Sequence, residues 1–138
     1  MNFAQSGPLS SIRIYGTIYG LPPDMGHGFH IHEFGNLSKG CKSTGEHFNP
    51  FNEKHGGRDT AIRHVGDLGN IWADQNGTAT FDITAPKVTL YGIISVIGRA
   101  CVVHAGTDDL GRGSSPLASI NGNSGPEIGC GVIGLASE

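Results

Sequence analysis

Charged side chains are scarce in this chain, 15% of 138 residues, and neither sign dominates: 9 Lys and Arg stand against 12 Asp and Glu. The resulting formal net charge of −3 argues against nucleic acid or an anionic membrane surface as a partner. Long hydrophobic runs are missing as well, and none approaches the ~20 residues of a membrane span. Residues 1–11 have neither the basic start nor the apolar stretch of a signal peptide, so a cytoplasmic location is expected. Three cysteines, Cys41, Cys101 and Cys130, are too few for a dense disulfide scaffold, and leave one pair plus a spare thiol open. There is no internal repeat, no Gly-X-Y period and no low-complexity tract. What is plentiful is glycine, at 23 residues, which fits many turns and long ordered loops rather than long helices. The length fits a single domain, 1–138, with room for a real core.

The central stretch is Gly28-Phe29-His30-Ile31-His32-Glu33-Phe34, in which apolar residues alternate with two histidines. On a strand, side chains at i and i+2 share a face, so both imidazoles point the same way. Before it, Ile12 to Tyr19 alternates as a strand and ends in the turn Leu21-Pro22-Pro23-Asp24. Asn36 to Asp67 shows no sustained period and is rich in Gly, Asn, Lys and His. A structureless stretch that long needs something to order it, and metal ligands or a disulfide would serve. Strands are expected again at Asp67 to Ile71 and Thr78 to Ile83, joined by Asp74-Gln75-Asn76-Gly77, a strong hairpin turn. Further short strands are expected at Val88 to Tyr91, Ile93 to Ile97, Arg99 to His104 and Cys130 to Leu135. A second long loop, Ala105 to Glu127, could open with a helical turn at Thr107 to Leu110. Short strands with Gly-rich connections indicate an antiparallel sandwich or barrel.

Seven histidines are many for this length, and their placement points to metal. His47, His55, His64 and Asp67 lie in or at the end of the first long loop and match the four nitrogen and oxygen ligands that zinc takes. Binding there would order the loop. His30, His32 and His104 form a second group whose imidazoles suit copper, a one-electron redox metal. His27 falls on the opposite strand face from His30 and reads as a structural histidine with satisfied hydrogen bonds. Cys101, inside a strand, reads as a small buried hydrophobe.

Several segments together resemble the copper/zinc superoxide dismutases. They are Gly28 to Gly35, Gly45-Glu46-His47-Phe48-Asn49-Pro50, Lys54-His55-Gly56-Gly57, Arg63 to Asn70, Val102-Val103-His104, Asp108-Asp109-Leu110-Gly111, Gly122-Asn123 and Cys130 to Gly134. The resemblance implies a Greek-key, immunoglobulin-like β-sandwich with two long ordered loops. It implies copper on His30, His32, His47 and His104, and zinc on His47, His55, His64 and Asp67, with His47 bridging both and acting in catalysis. Asp108 would link a copper histidine to a zinc histidine, and Cys41 would pair with Cys130. Superoxide would be the substrate, a homodimer the assembly (through Ile97-Gly98 and Val132 to Leu135), and a copper chaperone a loading partner.

Three departures from the family pattern carry expectations of their own. The family has a strand and hairpin before the stretch matching Met1, and their lack here would leave open edges on the Ile12–Tyr19 strand and on the last strand. Glu127 stands where the family has an arginine beside the copper channel, so an anion would be repelled rather than drawn in. Pro116, Leu117 and Ile120 replace charged steering residues, leaving Arg112 as the one cation of that loop. The reading is therefore a dismutase of reduced rate; the alternative is a copper- and zinc-binding relative without significant activity, serving as a metal store, decoy or interaction module.

Overall fold

Eight strands carry the fold: β1 (Asn2–Ala4), β2 (Ile12–Ile18), β3 (Met25–His32), β4 (Ser38–Cys41), β5 (Asp67–Ala73), β6 (Ala79–Ala85), β7 (Ala100–His104) and β8 (Glu127–Val132). A 3-10 turn (Lys42–Thr44) and one short helix, α1 (Ala118–Asn121), complete the regular structure. The structure, a computed structural model, describes residues 1–137. Two antiparallel sheets stack as a sandwich, one ordered β1-β2-β6 and the other β5-β3-β7-β8. The hairpin at Asp74–Gly77 joins β5 to β6, and so one sheet to the other.

Alternation explains the pairing. In β2, Ile12 and Ile14 are fully buried, while the exposed Arg13 between them reaches across to Asp82 on β6 at 2.8 Å. Phe29 and Ile31 of β3 point the other way from His30 and His32, into the core, where Phe29 meets Phe81 of β6 at 5.2 Å between ring centres. Each such fully buried side chain contributes roughly 1.5–3 kcal/mol. The imidazole face of β3 is buried too, beneath the two long loops, so this strand is covered on both sides.

The structure departs from the sequence expectations in four places. Val88–Tyr91 and Ile93–Ile97 are turns, closed by local bonds such as Val88 N to Ala85 O at 3.2 Å and Ser95 N to Gly92 O at 3.2 Å. Their apolar content instead plugs the core, through Val88 and Val96. Thr107–Leu110 forms no helical turn; the helix of that loop lies further on, at Ala118–Asn121. The last strand begins at Glu127 rather than Cys130 and ends at Val132. Finally, β1 covers the edge of β2 that was expected to stand open, in the register Asn2 to Tyr15, Phe3 to Ile14 and Ala4 to Arg13. Among the described residues the edge strands are β1 and β6 in one sheet and β5 and β8 in the other, with β5 and β6 joined by the hairpin.

Candidate metal centre

Backbone pairing, more than side-chain packing, brings the first loop onto β3. Ile31 N donates to Gly66 O and Phe48 N to Ile31 O, both at 2.8 Å, and Gly66 N donates to Phe48 O at 3.0 Å. Three segments are thus laced at one point, and a Cβ on Gly66 would collide with the Ile31 carbonyl, so only glycine fits. The lacing sets His47 opposite His32 in an isolated bridge and places Asp67 at the head of β5, opposite His30. His104 arrives at the end of β7, the other neighbour of β3.

Four buried rings, His30, His32, His47 and His104, each have one nitrogen held by an oxygen. His30 Nε2 meets Asp108 Oδ2 at 2.7 Å and His47 Nδ1 meets Asp67 Oδ1 at 2.9 Å. His32 Nδ1 and His104 Nδ1 meet the carbonyl oxygens of Gly45 and Gly125, each at 2.8 Å. Their other nitrogens, His30 Nδ1, His32 Nε2, His47 Nε2 and His104 Nε2, have no hydrogen-bond partner. The four residues offer ligand atoms that all lie within 4.8 Å of one another. A buried polar atom without a partner costs about 1–3 kcal/mol, so four converging ones need a shared cation. Burial, reinforced by the neighbouring rings, holds His30 and His47 below the ordinary imidazole range and brings His32 down to about 3. Neutral rings with inward lone pairs are the donors copper takes.

A second convergence shares His47. Asp67 Oδ1 lies 2.9 Å from His47 Nδ1, 3.0 Å from His55 Nδ1 and 3.1 Å from His64 Nδ1. The His55 contact is close but misaligned, so that nitrogen also lacks a hydrogen bond. Three imidazole nitrogens and a carboxylate oxygen make a zinc donor set. The second group whose ligand atoms all lie within 4.8 Å of one another is His30, His47, His55 and Asp67. His64 stands outside that set, with its Nδ1 3.1 Å from Asp67 Oδ1 and 3.2 Å from His47 Nδ1. The remaining Asp67 oxygen accepts the backbone N–H of His64 at 2.9 Å and of Gly56 at 3.0 Å. Burial opposes the Asp67 charge, yet the hydrogen bonds to His47 and His64 and the close approach of His55 outweigh it and hold the carboxyl far below its usual range.

Asp108 joins the two groups. Its Oδ2 takes His30 Nε2 and its Oδ1 takes His55 Nε2, each at 2.7 Å. Oδ1 also accepts the Leu110 N–H at 2.8 Å, so the local turn and the link between histidines are both real. Asn70 clamps the Asp108 backbone, accepting its N–H at 2.7 Å and donating to its carbonyl at 3.0 Å. Gly122, at φ 76°, passes so close that a Cβ would strike Asp108 Oδ1 and His55 Nε2. Burial opposes the His55 cation, but the hydrogen bond to Asp108 and the adjacent Asp67 carboxylate prevail and lift it to about 9.

Elsewhere the expected residues fall as follows. His27 is fully buried, with each ring nitrogen 2.8 Å from a backbone carbonyl, of Pro22 and His104. Cys41 and Cys130 form a disulfide that ties the first loop to β8, and Cys101 is free and buried. Glu127 is half-buried at the start of β8, the cross-strand partner of His104. Arg112, Pro116, Leu117 and Ile120 are all exposed on the second loop. Asn70 and Gly122 stand inside motifs noted in the sequence, but nothing in their residue type announced a role at the site.

A β-sandwich whose inter-sheet loops bring two imidazole-rich donor sets onto one shared histidine defines a protein built around a metal pair. The chain matches the family model described as copper/zinc superoxide dismutase over residues 1–133. It is 53% identical over 129 residues to a protein named superoxide dismutase [Cu-Zn] from Paramecium bursaria Chlorella virus 1, covering 94% of this chain and 69% of that one. It is 46% identical over 136 residues to a protein named putative superoxide dismutase [Cu-Zn] from Orgyia pseudotsugata multicapsid polyhedrosis virus, covering 98% and 89%. The chain belongs to the copper/zinc superoxide dismutase family, and copper and zinc are the cofactors its donor sets suit.

Proposed function

We propose that this protein converts two superoxide anions and two protons into dioxygen and hydrogen peroxide, at a rate reduced by Glu127. The observation that carries the reading is the convergence of four imidazole nitrogens without partners beside a second donor set. His30, His32, His47 and His104 would hold copper; His47, His55, His64 and Asp67 would hold zinc. When bound, copper supplies one-electron exchange between Cu(II) and Cu(I), and zinc supplies a fixed charge without redox activity. His47 turns Nδ1 toward Asp67 and leaves Nε2 for the copper group. With Nδ1 engaged, Nε2 is the atom of that ring able to hold the proton that peroxide needs. Asp108 pins the rings of His30 and His55 so that neither can turn.

Glu127 is the cross-strand partner of His104. At about 6 Å and an effective dielectric of ~40, one charge acts on an anion with roughly 1–1.5 kcal/mol. Exchanging repulsion for attraction is then worth about 2–3 kcal/mol, on the order of 30–150-fold in rate. The test is superoxide decay on protein of verified copper and zinc content, beside Glu127→Arg. The variant should be faster by that factor, and added salt should speed the native protein by screening the repulsion. No activity above buffer in either form, with both metals bound, would retire the enzyme and favour the store, decoy or interaction module. A homodimer through the exposed side chains of Ile97, Val132 and Leu135 belongs to the same reading.

A further inference from the structure

The four rings of the copper group are not held alike. His30 and His47 lean on the carboxylates of Asp108 and Asp67, and His104 on one backbone carbonyl, that of Gly125. His32 has two oxygens at the same nitrogen: its Nδ1 lies 2.8 Å from Gly45 O and 3.2 Å from Thr44 Oγ1. Thr44 closes the 3-10 turn Lys42–Thr44 and is fully buried. Its carbonyl takes the N–H of Phe34 at 3.0 Å, which keeps the residue beside His32. Its hydroxyl also stands 2.6 Å from Cys41 O, and Cys41 is tied to β8 by the disulfide. Proton counting fixes the roles. A carbonyl oxygen only accepts, and a hydroxyl has one proton to give. The Thr44 proton therefore goes to Cys41 O, and its oxygen is left to accept from His32. Gly45 O also only accepts, so His32 has its proton on Nδ1 and its lone pair on Nε2. That Nε2 is one of the four converging nitrogens without a partner.

We propose that Thr44 is a positioning residue for the copper group: its hydroxyl, anchored on Cys41 O, keeps the His32 proton on Nδ1 and so aims the Nε2 lone pair at the other three rings. What Nε2 meets rests on the copper reading above; where the His32 proton sits does not. With Gly45 O as sole acceptor the ring could rock about a single bond, and a second acceptor at the same N–H narrows that motion. Closing the turn would need only the contact with Cys41 O. The approach to His32 is what gives this buried hydroxyl its second task.

Two variants separate the tasks. Thr44→Val keeps the shape and removes the hydroxyl; Thr44→Ser keeps the hydroxyl and loses a methyl. The full chain is loaded with zinc, and the His32 ring nitrogens and their proton are followed by NMR before copper is added. The native protein should show the proton on Nδ1, and a Thr44 hydroxyl proton protected from water. In Thr44→Val the Nδ1 proton should exchange about tenfold faster, and copper affinity, read by competition with a chelator, should drop about five- to tenfold. Thr44→Ser should bring both back to within about twofold of native, and zinc affinity should move less than that throughout. A His32 proton found on Nε2 in the native protein would overturn the proposal without any variant, so poor folding of Thr44→Val leaves it open to refutation. A Thr44→Val protein that matches native in proton exchange and copper affinity, whatever its melting temperature, would overturn it too, since the hydroxyl would then serve the turn alone. So would a loss that Thr44→Ser fails to restore. Copper that does not bind the native chain, with Nδ1 protonated and its exchange sensitive to Thr44, would instead retire the copper reading and support the hold of Thr44 on His32.

Discussion

The metal cluster and the β1–β8 seam are walled by the same pair of strands, β3 and β7, on opposite faces. On one face the long loops fold back, and their backbone amides and carbonyls meet β3, each other and the histidine rings. On the other face the sandwich is left with two unpaired edges over an apolar cleft. The contrast shows two ways in which a fold can be unfinished. The cluster has its backbone satisfied and its side-chain nitrogens waiting for ions. The seam has its side chains settled and one backbone edge of β1 and of β8 unpaired among the described residues.

Removing the metals should sharpen that contrast most. An ion bound at ~1,000 times its Kd stabilises by about 4 kcal/mol, so stripping both should lower the melting temperature by roughly 15 °C or more. Exchange should accelerate around His47, His64 and Asp108 while the edges of β1 and β8 change little; equal acceleration at both would break the distinction. In the metal-free protein, pH should then show a maximum of stability near 6.5. The folded-state pKa of His32 is depressed to about 3, so its contribution is full above ~6.5 and fades as pH falls toward that value. His55 is raised to about 9, so its contribution is full below ~6.5 and fades as pH rises through that value. Melts at acid, near-neutral and alkaline pH should show losses of about 2–4 kcal/mol on either side.

Smaller changes address single contacts within the cluster. Gly122→Ala combines a positive φ with a Cβ driven against Asp108 and His55, and should cost about 2–3 kcal/mol in thermal or chemical unfolding. Zinc retention should drop with it, and the seam should be untouched. Asp108→Asn keeps the shape but loses one charged acceptor, and should weaken metal binding about 10–100-fold in competition with a chelator. An unchanged affinity would mean that the link between His30 and His55 does not hold the rings.

The sequence was most readable where a local period met a local need. His30 and His32 share a face because strands alternate, and Gly77, at φ 75°, closes the β5–β6 hairpin because glycine accepts the left-handed backbone the turn demands. Family motifs supplied the partnership of His47 and Asp108, which no local pattern contains. What stayed hidden was tertiary in origin. The three residues of β1 and the four of β4 have no alternation of their own and become strands through what they lie against. Val88 to Ile97 misled for the opposite reason: its apolar residues are there to plug the core from turns, not to pair. The lacing of Ile31, Phe48 and Gly66 was equally invisible, since it is made of backbone atoms that every residue owns.

The disulfide between Cys41 and Cys130 ends on β8, one of the two strands that border the open seam, and begins just before the segment that carries His47. A single reductive event would therefore loosen two places at once, freeing a sticky border strand as it unmoors the approach to the ion pair.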